Sequence, residues 1–167
     1  HQSATNTNRL GVSTVSVVFG ARAGARFEPL EVNGISHVLE HMMFRGAAKF
    51  PSAHAVNLAI EELGGTLDAT THVDFTTYEL SLPEESFALG LERFAAVLEA
   101  PLFLDLALEK RVLEEELRED LSDDGKDVSV DNLARKLLFG EHGLGRSITG
   151  TLVELERITE ADLRAYR

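Results

Sequence analysis

Cysteine is absent from the 167 residues. No disulfide can therefore support the fold and no thiolate can serve as a metal ligand, a composition that fits a reducing compartment. Long apolar runs are absent as well. A membrane-spanning helix needs about eighteen consecutive apolar residues, and the chain has no such run, so no membrane partner is expected. Basic residues are scarce beside acidic ones: 16 Lys and Arg against 28 Asp and Glu, for a formal net charge of -12. Phosphate recognition needs clustered Lys and Arg, so no nucleic-acid partner is expected. Internal repeats, low-complexity tracts and interdomain linkers are also missing, and Gly143 and Gly145 are too sparse for a phosphate-binding loop. The polar opening stretch, residues 1–9, lacks the apolar segment of a secretory signal and begins without Met. The chain therefore reads as a processed product or a fragment, with the cytoplasm favoured as its compartment.

What is present suffices for one domain. The hydrophobic fraction is 44%, enough for an ordinary core. Residues 10–20, rich in Val, Ser and Thr, predict a strand, and residues 35–44 a helix opened by Gly34 and ended by Gly46. Ser52 is placed to cap a second helix running to Leu63, where Gly64 and Gly65 stop it. Residues 66–71 and 75–82 predict a strand pair. Pro83 opens a third helix whose stripe of Phe87, Leu91, Phe94 and Leu98 belongs to the core. Asp105 is placed to cap a fourth helix carrying Leu106, Leu113, Leu117 and Leu121 at helical spacing. A polar break at 122–127, an amphipathic helix over 128–139 and a capping box at Thr159–Asp162 follow. Grouped rather than alternating elements predict an α+β fold, a mixed and mostly antiparallel sheet with helices packed against one face.

The chemistry concentrates at His37-Val38-Leu39-Glu40-His41, an H-x-x-E-H motif. On a helix, residues four apart share a face. His37 and His41 would thus project together, with Glu40 at the edge of that face. Val38, Leu39, Met42 and Met43 would bury the remainder of the helix and turn both imidazoles inward, where they need partners; a metal is a good one. Two histidines holding zinc beside a glutamate base suit hydrolysis by an activated water. Zinc requires a third protein ligand. The acidic face of the fourth helix offers Glu109, Glu114, Glu115 and Glu116, among which periodicity does not choose. Glu109 and Glu116 lie two turns apart on one face, so one could bind metal while the other supports a ligand. His54, His72 and His142 have no partner at ligand spacing and are expected in ordinary structural roles.

In these residues the chain resembles the inverzincin zinc metallopeptidases, the family of pitrilysin, insulinase and mitochondrial processing peptidase. The resemblance runs over nearly the whole chain: residues 23–29, residues 34–46 around the motif, residues 64–71, residues 76–78 and residues 145–151. It implies the metalloenzyme sandwich domain of the pitrilysin type, a single N-terminal catalytic domain over 1–167 that is shorter than the family at both ends. It implies one Zn2+ held by His37, His41 and Glu116, with Glu40 as general base, Glu109 supporting a ligand from outside, and Glu115 as ligand if the register slips by one. Asp68, Ala69 and Thr70 would contact the substrate backbone. Asp68 departs from the family, which usually has asparagine there; an ionised carboxylate accepts hydrogen bonds but donates none. The implied activity is zinc-dependent endopeptidase action on a peptide or protein substrate, with a C-terminal domain or partner subunit of the same family completing the enzyme. The rival expectation is a non-catalytic scaffold subunit of a two-subunit peptidase, a role whose holders typically lose the motif. The natural substrate and the oligomeric state are not legible in the sequence.

Overall fold

The computed structural model describes residues 12–167 together with the strand Ser3–Arg9. In chain order the elements are β1 (Ser3–Arg9), β2 (Val12–Ala21), α1 (Ile35–Met43), α2 (Ala53–Glu61), β3 (Thr66–Thr71), β4 (Thr76–Pro83), α3 (Phe87–Glu99), α4 (Leu106–Glu119), α5 (Val130–Phe139), α6 (Leu152–Arg157) and α7 (Glu160–Tyr166). The four strands form one sheet in the order β1-β2-β4-β3. β1 pairs antiparallel with β2, from Ser3 opposite Val18 to Arg9 opposite Val12. β3 and β4 are neighbours joined by only the residues between Thr71 and Thr76, closed by His72 N–H donating to Phe75 C=O at 2.8 Å. So short a connection permits only an antiparallel hairpin. The α+β class with an antiparallel sheet is the one the sequence predicts.

The backbone divides into two compact units that interleave along the sequence. The first holds β1 and β2 with Met42–Thr70 and Thr77–Leu104; the second holds Arg22–His41, Thr71–Thr76 and Asp105–Arg167.

In the first unit, β4 alternates strictly between buried and half-buried residues, with Tyr78, Leu80 and Leu82 on the buried face. Such alternation is the mark of a strand with one face on a core. α3 lies against this strand at Gly90, where an added Cβ would come within 2.4 Å of a Leu82 methyl. Glycine is thus required there for close approach, at the centre of the stripe that Phe94 and Val97 continue. α2 carries the side-chain cap expected of Ser52, whose hydroxyl accepts from Ala55 N–H at 3.1 Å. Ala47, Val56 and Val97 form a buried cluster with Phe44, Phe50 and Leu67 packed on it.

In the second unit, α4 buries Glu109, Leu113 and Leu117, spaced i, i+4 and i+8 on one face. α6 and α7 each begin with a complete capping box, Thr151 with Glu154 and Thr159 with Asp162. Leu155, Ile158 and Leu163 are buried, and Lys110 donates to Glu156 C=O at 2.8 Å.

Three sequence expectations change. Asp105 stands at the start of α4 but makes no side-chain cap. Its φ of 60° is left-handed, a conformation Asp tolerates, and it is the Asp105 backbone C=O that accepts from Leu108 and Glu109. α6 has no counterpart among the predicted elements, because residues 145–151 resemble a loop and the Thr151-x-x-Glu154 box begins only at its last residue. β1 has no predicted counterpart either, since the opening stretch is polar and lacks apolar alternation. Of the strand expected over 10–20, Leu10 and Gly11 lie outside the described residues, and β2 begins at Val12.

Candidate metal centre

α1 forms as its sequence demands. Ile35, Val38, Leu39, Met42 and Met43 are buried, while His37, Glu40 and His41 stay half-buried along the remaining strip. The start of the helix is secured by a residue nine positions upstream of His37. The Glu28 carboxylate, 4% exposed, accepts from Asn33 Nδ2 at 2.9 Å and Gly34 N–H at 2.6 Å through Oε2, and from Ser36 N–H at 2.9 Å through Oε1. The first N–H groups of a helix have no partner within it, and a carboxylate there also meets the positive end of the helix dipole. Burial nevertheless pushes the Glu28 carboxyl above its usual range, with these donors offsetting it only in part. Gly34 has φ +92°, and a Cβ there would lie 2.5 Å from Thr149 C=O, so the loop before α6 presses directly on the helix entry. Ser36 Oγ shares a hydrogen bond with Tyr166 Oη at 2.9 Å, and Arg146 donates to Glu28 C=O at 2.7 Å. Residues 23–29 fit the family pattern, but nothing in the local sequence marks Glu28 for this task. Removing its carboxylate with Glu28→Ala strands these buried donors and is expected to lower stability by about 3 kcal/mol. A urea melt that shifts by less than a third of this would show the cap to be dispensable.

Three donor groups converge beside α1. His37 Nε2 lies 3.8 Å and His41 Nε2 3.7 Å from Glu116 Oε2. One ligand atom from each of the three residues lies within 4.8 Å of the others, and among the described residues this is the group of His, Asp and Glu able to hold a metal. A tetrahedral zinc with N and O ligands near 2.1 Å spaces its ligands by about 3.4 Å, so each imidazole donor need close on Glu116 by only a few tenths of an ångström. The imidazoles meet edge to face with centroids 4.7 Å apart. Burial first, and the neighbouring His41 second, push His37 down to about 4, which leaves it an uncharged ring with a lone pair at neutral pH. His41 Nδ1 lies 2.9 Å from Glu109 Oε1. With Glu109 accepting from Nδ1–H, the lone pair of His41 sits on Nε2, the atom facing Glu116. The donor set fits a zinc ion on number, type and spacing.

Among the acidic residues of α4, then, Glu116 faces the histidines and Glu109 supports His41; Glu115 is exposed and is not in the cluster. Glu40 accepts from Thr71 Oγ1 at 2.6 Å. Asp68, Ala69 and Thr70 lie on β3 in the first unit, with Asp68 and Thr70 exposed and Asp68 Oδ1 accepting from Ala69 N–H at 2.9 Å. His142 caps a short 3-10 turn by accepting from Leu144 N–H, and His72 stacks on Phe75 with ring centroids 4.2 Å apart, structural roles in both cases.

Comparison with known proteins gives this arrangement its context. The model of the insulinase family, peptidase family M16, matches residues 4–152. The chain belongs to that family. A Bacillus subtilis protein named as an uncharacterized zinc protease is 32% identical over 161 residues, 95% of this chain and 39% of that protein. The probable beta subunit of the mitochondrial-processing peptidase of Arabidopsis thaliana is 33% identical over 165 residues, 98% of this chain and 30% of its own length. The chain thus spans well under half of these M16 relatives. Among solved structures, a protease from Helicobacter pylori superposes with a TM-score of 0.79 at 19% identity, covering 99% of this chain and 42% of that one. An inactive M16 peptidase domain from Pseudomonas fluorescens superposes with a TM-score of 0.81 at 18% identity, covering 98% and 42%. An M16 domain described as inactive shares this fold, so the fold leaves the activity to the side chains. No helix among the described residues is long and apolar enough to cross a membrane.

Proposed function

We propose that this chain is the zinc-binding catalytic domain of an M16 endopeptidase. His37, His41 and Glu116 hold one zinc, Glu109 fixes the tautomer and orientation of His41, and Glu40 is the general base. The observation that carries the reading is the convergence of two imidazole nitrogens on one carboxylate oxygen, 3.8 and 3.7 Å away, with a further carboxylate one residue from His41. Zinc, when bound, supplies a Lewis acid that acidifies water and polarises a carbonyl. The residues of the chain do the remainder. Glu40 takes a proton from the water as its oxygen bonds to the scissile carbonyl carbon, then returns that proton to the amide nitrogen as the C–N bond breaks. Asp68, Ala69 and Thr70 guide the substrate backbone, and the polypeptide adds alongside β3 as a further strand.

Two rival readings, a non-catalytic scaffold subunit and a purely structural zinc domain, fit these residues less well. A scaffold has no need of a paired His and Glu set whose outer carboxylate fixes an imidazole tautomer, and a purely structural zinc site uses four protein ligands and has no use for Glu40. Metal analysis of the purified protein provides the test. Close to one zinc per chain supports the enzyme; a metal-free protein that still folds and binds a family partner supports the scaffold. Because the chain spans 39% and 30% of the two relatives compared, full turnover is expected to need a second family-type unit, as further chain or as a partner subunit. Titrating such a unit into the 167-residue chain should raise peptide cleavage; equal rates with and without it would refute that requirement.

A further inference from the structure

Glu40 has a torsional problem that its helix does not solve. The last torsion of a glutamate joins an sp3 to an sp2 carbon and is broad and roughly two-fold. The helix backbone alone therefore does not decide how the two oxygens of the half-buried Glu40 are turned. A base that must take a proton from water and hand the same proton to an amine gains from having one assigned oxygen. We propose that Thr71 is a positioning residue that makes this assignment. The proposal rests on the peptidase reading above.

The geometry supports the role at both ends. Thr71 Oγ1 donates to Glu40 Oε2 at 2.6 Å, a length typical of a hydroxyl bonded to a carboxylate. Thr71 is the last residue of β3 and is 8% exposed, so water competes poorly for the bond. Its branched Cβ restricts the first side-chain torsion, which aims the hydroxyl once the backbone is fixed. That backbone is fixed closely. The turn after Thr71 is closed by His72 N–H to Phe75 C=O at 2.8 Å, and Val73 C=O accepts from Arg26 N–H at 2.7 Å. Gly24 packs so tightly on this turn that a Cβ would lie 2.4 Å from His72 C=O. Two residues beyond Arg26 stands Glu28, whose carboxylate holds the entry of α1. Segment 24–28 thus braces the hydroxyl donor at one end and the helix bearing the base at the other.

The consequence for proton transfer is specific. Thr71 keeps its own proton throughout and loses none to Glu40. Its hydrogen bond makes Oε2 the less basic oxygen, so the water O–H bond breaks as an Oε1–H bond forms. That bond breaks in turn when the proton passes to the leaving nitrogen. When Glu40 is protonated, Oε2 is its carbonyl oxygen and still accepts from Thr71, so the carboxyl does not turn its proton away from the amine. A serine hydroxyl can perform the same task; a valine of nearly equal shape cannot.

The test compares Thr71→Val, Thr71→Ser and Glu40→Gln with the unaltered full-length protein, measuring zinc content, melting temperature, kcat and KM on one peptide. Thr71→Val should keep zinc near one per chain and KM within two-fold while kcat falls about 10- to 100-fold, the scale of a misplaced catalytic group. Thr71→Ser should recover most of kcat. In a Glu40→Gln background, Thr71→Val should cost nothing more, because the hydroxyl acts through the carboxylate. A Thr71→Val protein with full kcat, or a serine variant as slow as the valine one at equal melting temperature, overturns the proposal and leaves the peptidase reading intact. Unaltered protein that lacks zinc and turnover, or a fully active Glu40→Gln, overturns that reading and the role of Thr71 with it.

Discussion

Replacing Glu40 with Gln is expected to leave zinc bound and to lower kcat by about 10²–10⁴-fold, the usual contribution of a positioned general base. The substitution removes one function and little else. Gln has the size and helix propensity of Glu, and its amide oxygen still accepts from Thr71 Oγ1, which in the native protein lies 2.6 Å from Glu40 Oε2. The amide cannot accept the water's proton at neutral pH. Nor does the proposed metal site lose a ligand, since the donor cluster comprises His37, His41 and Glu116. Zinc content by elemental analysis should therefore match the unaltered protein while peptide cleavage collapses. Cleavage at a normal rate would remove Glu40 from the chemistry; loss of zinc together with activity would make it a ligand instead of a base.

The second large effect concerns the two adjacent glutamates of α4. Glu116→Ala is expected to lower zinc affinity by more than the roughly 10- to 100-fold that loss of an outer partner costs, because a site with two histidines alone holds the ion weakly. Glu115→Ala should change it less than two-fold, since that side chain stands outside the cluster. Glu109→Gln belongs between them. It keeps the shape but weakens the charge-assisted bond to His41 Nδ1, now 2.9 Å long, and the 10- to 100-fold range applies to it directly. Competition titration with a chelator ranks the three variants. An order in which Glu115→Ala is the most damaging would shift the ligand register by one residue.

These two effects differ in how far the chain alone foretells them. The H-x-x-E-H spacing names His37, Glu40 and His41 because helix geometry is local: four residues make one turn, and the flanking Val38, Leu39, Met42 and Met43 settle which side is buried. Choosing Glu116 from a run of three glutamates is not a local matter. All three fit α4, and a one-residue step rotates a side chain by about 100° around a helix of 3.6 residues per turn. Family resemblance pointed to Glu116; the folded chain faces it toward the two imidazoles and leaves Glu115 in solvent. Glu28 shows the opposite case, a buried carboxylate with several donors that no periodicity marks, since its partners Asn33, Gly34 and Ser36 become neighbours only once the chain has turned into α1.

The sequence by itself determined the helix that carries His37, Glu40 and His41, the capped starts of α2 and α7 and the strand β4, each a consequence of residues a few positions apart, and the lack of cysteine excluded thiolate chemistry. Only the tertiary structure decided which α4 carboxylate meets the histidines, what steadies the entry of α1, how Asp105 begins its helix without a side-chain cap, and that Thr71 reaches Glu40 across 31 residues of chain. The division has one physical cause. Hydrogen bonding and side-chain direction within a turn or strand follow from backbone geometry, whereas partners far apart in sequence are selected by how closely packed surfaces approach, down to a glycine where a single Cβ would not fit.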